Sequence, residues 1–490
     1  MKRTTLLTIL TLCSLAAVAQ PRKITFVAES ATDSVMYIAL HHRDRYILID
    51  SAVRYGNNYT FAGDALNRGI YALLAQDRST LHTDFTVDGK QRFSIKCGQG
   101  FKAADMKVKG CKANKAMFDY IAKLEWAKQR AQQINEMRKS ADPAVKDKAN
   151  NDFKELSDEM NAYEKRAFDQ GDRFYFFSLI KMFADPEVPD TLSDKLSYYL
   201  THYWDKVDFS DRNLVYTPNL YNKLNYYFFG AMYYSSYDTL VKYADTLLDR
   251  LVDDTLMLRY TLDHIMPRYY RSTKNIGWDA LWCHLVRRYY LEGKCPWATE
   301  GDLTYKRRQA AYLEKSLIGA MGEELYMADT NQSIDPSDWI SSHRFPERYV
   351  ILWFWDPDCH HCQEQTATLK TLYDSLLTAP DRRFEVYAVG YESDTEKWLD
   401  YVRDHQLPFV NVGGANVNID YQEAYNVHGA PTMIILNADR RIIMNKVLPT
   451  KSILPFLDEY ERLHPEQATR QPSRWQRMGA AIKQNNAQKH

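Results

Sequence analysis

The stretch Tyr349-Val350-Ile351-Leu352-Trp353-Phe354-Trp355-Asp356-Pro357-Asp358-Cys359-His360-His361-Cys362 decides the reading of this chain. Tyr349 to Trp355 is a continuous apolar and aromatic run, the pattern of a strand covered on both faces. Asp356-Pro357-Asp358 stops it, and Cys359 to Leu377 reads as a helix. Two cysteines three residues apart therefore fall on the first turn of a helix. Free backbone N–H groups and the helix dipole favour negative charge there, so a thiol gives up its proton more easily. Cys359 is the expected nucleophile. Cys362, one turn further along the same face, is close enough to form a disulfide with it.

The residues between the cysteines bear on that chemistry. An imidazole N–H beside the Cys359 sulfur stabilises the thiolate and makes the disulfide a stronger oxidant than one with Gly-Pro between its cysteines. His360 and His361 are both candidate catalytic residues on that ground, with exposed polar surface as the competing reading for His360. Beyond the helix, Phe384 to Gly390 reads as a strand, Glu396 to His405 as a helix, and Met433 to Leu436 and Arg441 to Val447 as two closing strands, which makes an α/β layer. Val427-His428-Gly429-Ala430-Pro431-Thr432 leads into the first of those closing strands.

A buried strand, a C-x-x-C pair at a helix start and a later Gly-Ala-Pro-Thr together resemble a thioredoxin-like domain of the TlpA/ResA type, the envelope thiol-disulfide oxidoreductases, over residues 345 to 464. The resemblance implies a cis bond before Pro431, and Ala430 and Pro431 offering main chain to an extended substrate, with Trp355 as a further substrate contact. It implies protein thiols or disulfides as substrates, a separate redox partner, and no cofactor or metal. His361 stands where DsbA-type oxidants carry a histidine. The sequence departs from the family pattern in two places: Gln365 replaces the acid three residues after the second cysteine, and Ala367 replaces the proline two residues beyond it. Trp353 also stands where thioredoxin itself has a buried aspartate. Proton transfer at Cys362 then needs water, a histidine or another acid; Glu364 is rotated about 100° from the position of the missing one.

Outside this domain the 490 residues leave room for one or two more cores. Lys2 and Arg3, an apolar run from Leu6 to Val18 and the small residues Ala17-Val18-Ala19 form the pattern of a secretory signal over residues 1–19, with the mature chain starting at Gln20. A lipid anchor on Cys13 is disfavoured because Leu12 sits where a small residue is wanted. No later run reaches the ~20 apolar residues that span a bilayer. The expected location is therefore outside the cytoplasm, with the periplasm foremost and no integral membrane segment. Lysine plus arginine and aspartate plus glutamate both total 63, which excludes a global basic field for nucleic acid.

From residue 20 to 110 short β-prone runs (Lys23 to Glu29, Ser34 to Asp50, Tyr59 to Gly63, Gly69 to Gln76, Arg92 to Cys97) are punctuated by Gly56-Asn57-Asn58 and Asp88-Gly89, as in a small antiparallel sandwich or barrel. From 111 to 315 apolar residues recur at helical spacing, first Met117, Ile121, Leu124, Ala127, Ala131 and Ile134, then Phe153, Leu156, Met160, Tyr163 and Ala167. Aromatic runs such as Phe174 to Phe177 and Tyr226 to Phe229 read as helix core, with a groove for a ligand or peptide as the competing reading. Gly69-Ile70-Tyr71, Tyr203-Trp204-Asp205 and Tyr289-Tyr290-Leu291 resemble phrases in the β-rich and helical modules that precede thioredoxin-like domains in envelope proteins. The fold class is thus multidomain: an all-β sandwich-like module, an all-α domain, an α/β thioredoxin-like domain over 316–464, and a polar tail over 465–490. Cys97 with Cys111, and Cys283 with Cys295, are pairings the spacing permits without requiring.

Three other readings compete. The chain is a binding or scaffolding protein if the C-x-x-C pair is redox-inert, which the missing acid and proline favour. Metal ligation by Cys359, His360, His361 and Cys362 is opposed by geometry, because adjacent histidines on one turn do not converge with both sulfurs on a tetrahedral centre. A thiol peroxidase wants threonine three residues before its cysteine, where this chain has Asp356.

Overall fold

The computed structural model describes residues 21–171, 174–270, 275–377, 382–391 and 394–469. The expected signal segment 1–19, Cys13 and the tail beyond Thr469 lie outside the described residues. The chain divides into two compact units, residues 1–231 and 232–490.

The first unit begins with eight strands: β1 (Arg22–Ala28), β2 (Val35–His42), β3 (Arg45–Val53), β4 (Asn58–Gly63), β5 (Gly69–Leu74), β6 (Leu81–Val87), β7 (Arg92–Cys97) and β8 (Lys107–Lys109). They form two four-stranded sheets, ordered β4-β1-β7-β8 and β3-β2-β5-β6. Alternating inward residues make the core between them. Ile24 and Phe26 of β1, Phe61 of β4 and Phe85 of β6 are almost wholly buried, and the rings of Phe26 and Phe85 meet edge to face at 5.2 Å. The expected sandwich is present, with one difference: β1 and β7 run parallel. The expected single run from Ser34 to Asp50 is two strands, because Arg43 takes a left-handed turn at φ 57°.

Helices complete this unit. α1 (Lys112–Arg138) and α2 (Pro143–Gly171) are the two long amphipathic helices of the sequence pattern, and α3 (Tyr175–Lys181), α4 (Lys195–His202) and α5 (Pro218–Tyr226) follow. Ile134, Ala149 and Leu156 are buried where α1 and α2 pack.

The second unit opens with α6 (Tyr237–Leu251), α7 (Thr255–Tyr269), α8 (Trp278–Leu285) and α9 (Glu300–Glu314). The central helical region thus runs from 112 to 314 and contributes to both units. A seven-stranded sheet follows, ordered β10-β9-β13-β12-β11-β14-β15. Its strands are β9 (Tyr326–Asp329), β10 (Ile340–Ser341), β11 (Tyr349–Trp355), β12 (Phe384–Gly390), β13 (Val410–Val417), β14 (Thr432–Leu436) and β15 (Ile442–Met444). β12 pairs parallel with β11 and β13, while β14 and β15 close the edge antiparallel.

β11 is apolar throughout because both faces of this sheet are covered. Tyr349, Ile351, Trp353 and Trp355 enter one core with α10 (His360–Leu376), α11 (Thr395–Asp404) and, further along, α13 (Ile453–Leu463). Val350, Leu352 and Phe354 enter the other, with Ala424 and Tyr425 of α12 (Tyr421–Tyr425). The start of the expected polar tail forms a short helix, α14 (Pro465–Thr469), whose Gln467 is buried and donates to Asp439 at 3.4 Å. Among the described residues no helix is long and apolar enough to cross a membrane.

Candidate active site

β11, an interior strand, delivers the chain to one end of the sheet at Trp355, and a tight turn redirects it into α10. Asp356 organises the turn: its carboxylate accepts the N–H of Asp358 at 2.8 Å and its carbonyl accepts the N–H of Cys359 at 3.1 Å. Gln363 reaches back from α10 to donate to the Pro357 carbonyl at 2.7 Å, and Lys397 of α11 pairs with Asp358 at 2.9 Å. The helix is set on the sheet by Trp353, whose indole N–H donates to Thr366 Oγ1 at 2.9 Å.

Cys359 is the N-cap of α10, where its sulfur does the work a serine oxygen does in other caps. The Sγ accepts the N–H of Cys362 at 3.3 Å and lies 3.8 Å from the Ala430 carbonyl, to which it donates. Cys359 is half-buried and Cys362 is fully buried. Burial pushes the Cys362 thiol up to about 12; its hydrogen bond to Cys359 adds to the rise, and a main-chain hydrogen bond at Asp356 opposes it. Both cysteines are thiols in this structure. The Ala430–Pro431 bond is cis, and Thr432 Oγ1 donates to the Gly429 carbonyl at 2.7 Å in the same loop. Cys359, Cys362, Ala430 and Pro431, distant in sequence, therefore meet at one end of the sheet.

The histidines are placed differently from the expectation. Both are exposed, and both face the carboxylate of Glu364, His360 Nε2 at 3.3 Å and His361 Nδ1 at 3.6 Å. The i,i+3 and i,i+4 spacing to Glu364 was in the sequence, and its consequence is that this carboxylate, rather than the sulfur, takes the imidazoles.

Trp355 needs correction as a substrate contact. Its side chain has no exposed surface, sits in the core with Trp353 and packs edge to face on Tyr401 at 5.2 Å. The period-2 alternation of β11 sends it inward with Tyr349 and Ile351. Asp356 is the residue that sequence reasoning passed over. Its carboxylate is among the charges that act on Cys362, and it orders the turn that carries Cys359.

The remaining cysteines are separate. Cys97, Cys111, Cys283 and Cys295 are buried thiols, none bridged to another. Cys111 caps α1, accepting from the side-chain amide of Asn114 at 3.2 Å, and Cys283 donates to the Ala310 carbonyl at 3.9 Å. Among the described residues no group of three or more histidine, cysteine or acidic side chains is arranged to hold a metal ion.

Residues 347–442 match the thioredoxin-like family, and residues 144–300 match a domain of unknown function (DUF5106). No curated protein matches the chain. Among solved structures, a thioredoxin-like protein from Bacteroides caccae is 17% identical with a TM-score of 0.46, covering 57% of this chain and 98% of its own. A domain of a possible thiol-disulfide isomerase from Cytophaga hutchinsonii is 28% identical with a TM-score of 0.26, covering 31% of this chain and 97% of its own. A thiol-disulfide oxidoreductase from Bacteroides fragilis is 20% identical with a TM-score of 0.24, covering 29% and 98%. The strand order, the C-x-x-C pair capping α10 and the family match over 347–442 agree: the C-terminal α/β part of this chain is a thioredoxin-like domain.

Proposed function

We propose that the chain is an exported thiol-disulfide oxidoreductase of the TlpA/ResA type that acts on cysteines of partner proteins in the periplasm. The observation that carries the reading is the Cys359 sulfur at the N-cap of α10, half-buried, within 3.8 Å of the main-chain carbonyl before Pro431. The Cys362 N–H at the start of the helix points at that sulfur. Acting as a reductant, the Cys359 thiolate attacks one sulfur of a substrate disulfide. A mixed disulfide forms, and the substrate's other sulfur leaves as a thiolate that takes up a proton. Cys362 then loses its proton and attacks the Cys359 sulfur. The Cys359–Cys362 disulfide forms, the second substrate thiol leaves, and two electrons have passed to the substrate. As an oxidant the same steps run in reverse, and a dithiol partner or a disulfide partner resets the pair accordingly.

The raised Cys362 thiol makes its deprotonation the demanding step. With Gln365 in place of the family's acid, Asp356 and water are the groups at hand to take that proton. Both imidazoles face Glu364, and the donor to the Cys359 sulfur is the Cys362 N–H at the helix start. Cys362→Ser should accumulate mixed disulfides with partner proteins in cells, and Cys359→Ser should form none. Absence of mixed disulfides from Cys362→Ser, together with no exchange on a model disulfide by the wild type, would leave the domain as a redox-inert binding module. A reduction potential measured against glutathione would give the direction.

A further inference from the structure

The last pairing of the sheet stops short of where the sequence carries it. Arg441 to Val447 reads as one strand, yet β15 ends at Met444 and its ladder with β14 ends at Ile435 opposite Met444. Continued in that register, Asn445 and Lys446 would lie opposite Ile434 and Met433. They are drawn to the helices instead. Lys446 Nζ donates to Asp279 Oδ2 at 2.8 Å, and Asn445 Nδ2 donates to the same oxygen at 3.2 Å and to the Ser316 carbonyl at 2.9 Å. The ion pair is shielded, its side chains 11% and 6% exposed.

The divergence leaves a cavity of about 370 Å³. Pro431, Thr432, Met433 and Ile434 line it from the strand, and Leu313 and Val447 add apolar wall. Its volume is in the range of small-ligand sites, about 300–1,000 Å³. Two features describe the occupant. Pro431 on its wall directly follows Ala430, whose carbonyl the Cys359 sulfur touches, so the cavity begins one residue from the reacting atom. Asp279 and Lys446 neutralise each other, so a charged group entering would lose its hydration without a counter-ion.

We infer that this cavity is a specificity site: it receives an uncharged, bulky side chain flanking the cysteine of the polypeptide substrate. The inference rests on the redox reading above. It gives the helical region, through Asp279, Leu313 and Ser316, a part in choosing the substrate of the cysteines.

The test uses the full chain and a set of peptides, each with one cysteine held as a mixed disulfide with a small thiol, carrying Gly, Leu, Phe, Asp or Lys beside it. Hydroxyethyl disulfide, which has no flanking residue, serves as the reference on every protein. Expected for the wild type is kcat/KM at least about tenfold higher for Leu or Phe than for Gly, Asp or Lys, as a hydrophobic pocket of this size gives. Val447→Trp fills the cavity from its half-buried edge and should bring the peptides, each relative to the reference, within about twofold of one another. Leu313→Ala enlarges the cavity and should move the preference from Leu toward Phe, a shift that a merely structural residue would not produce; it also carries the test if Val447→Trp fails to fold. Peptides within twofold on the wild type, or an unchanged preference in both variants, would overturn the site while leaving the redox reading intact. No turnover of hydroxyethyl disulfide or of any peptide, together with no mixed disulfides from Cys362→Ser, would overturn both.

Discussion

Arg440 carries its guanidinium into the interior, 1% exposed, and gives its protons to main-chain carbonyls: Phe345 at 2.8 Å, His343 at 3.1 Å and Asn437 at 3.2 Å. Burial pulls its pKa down to about 10, with Glu347 opposing. The residue ties the turn between β14 and β15 to the segment that enters β11. Arg440→Leu strands those carbonyls without donors and should cost about 3 kcal/mol, read as a fall in the urea midpoint at constant slope. Next to it, burial lowers His343 to about 4, and its Nε2 has no hydrogen-bond partner among the described residues. A histidine held below its ordinary 6.5 resists protonation in the folded state, so between pH 6.5 and 4 the unfolded chain binds the extra proton. Its contribution is complete above pH 6.5 and is lost as pH falls toward 4. From pH 7 to 5 the wild type should lose about 2 kcal/mol that His343→Gln does not lose, measured by urea unfolding at both pH values. Neither role was visible in the sequence, because a lone Arg or His on a polar stretch reads as surface.

At the scale of elements, some local chemistry closes on itself. α9 begins at a capping box: Thr299 Oγ1 accepts the N–H of Asp302 at 3.2 Å, and Asp302 Oδ2 accepts the N–H of Thr299 at 3.1 Å. Thr299→Ala should lower stability by about 1 kcal/mol without changing the fold, visible as a reduced thermal midpoint with an unaltered circular dichroism spectrum. The start of α10 and the extent of β11 and β12 followed from the sequence, through unbroken apolar runs and the turn at Asp356-Pro357-Asp358. β6 and β13 did not. β6 carries His82, Thr83 and Asp84 half-buried, satisfied by the His82–Asp33 and His41–Asp84 hydrogen bonds, so its alternation is hidden. β13 holds Gly413 and Gly414, and Gly414 sits at φ 81° with Gln332 Oε1 only 2.3 Å from where a Cβ would be. Glycines chosen for close approach erase a strand signal.

Within the second unit, the Asp279–Lys446 pair joins α8 to the end of the sheet across 167 residues of chain. Asp279→Asn leaves the ammonium buried without its counter-charge and should destabilise by about 3 kcal/mol; Lys446→Met in the same background should recover part of it. A double-mutant cycle by urea unfolding measures that coupling, and additive effects would show that the pair contributes nothing specific.

The sequence alone determined the multidomain order, the α/β character of the C-terminal part, the strand that carries Cys359 and the helix start that holds it. Each of these rests on neighbours in the chain: an unbroken apolar run, a turn, a cap three residues long. Tertiary structure decided the rest. It brought Ala430 to 3.8 Å from the Cys359 sulfur, turned His360 and His361 to Glu364, and put Trp355 in the core. It also took Asn445 and Lys446 from β14 to the helices, opening the cavity beside Pro431. Those placements depend on which of several polar partners a side chain meets once distant segments pack, and one-dimensional spacing does not contain that choice.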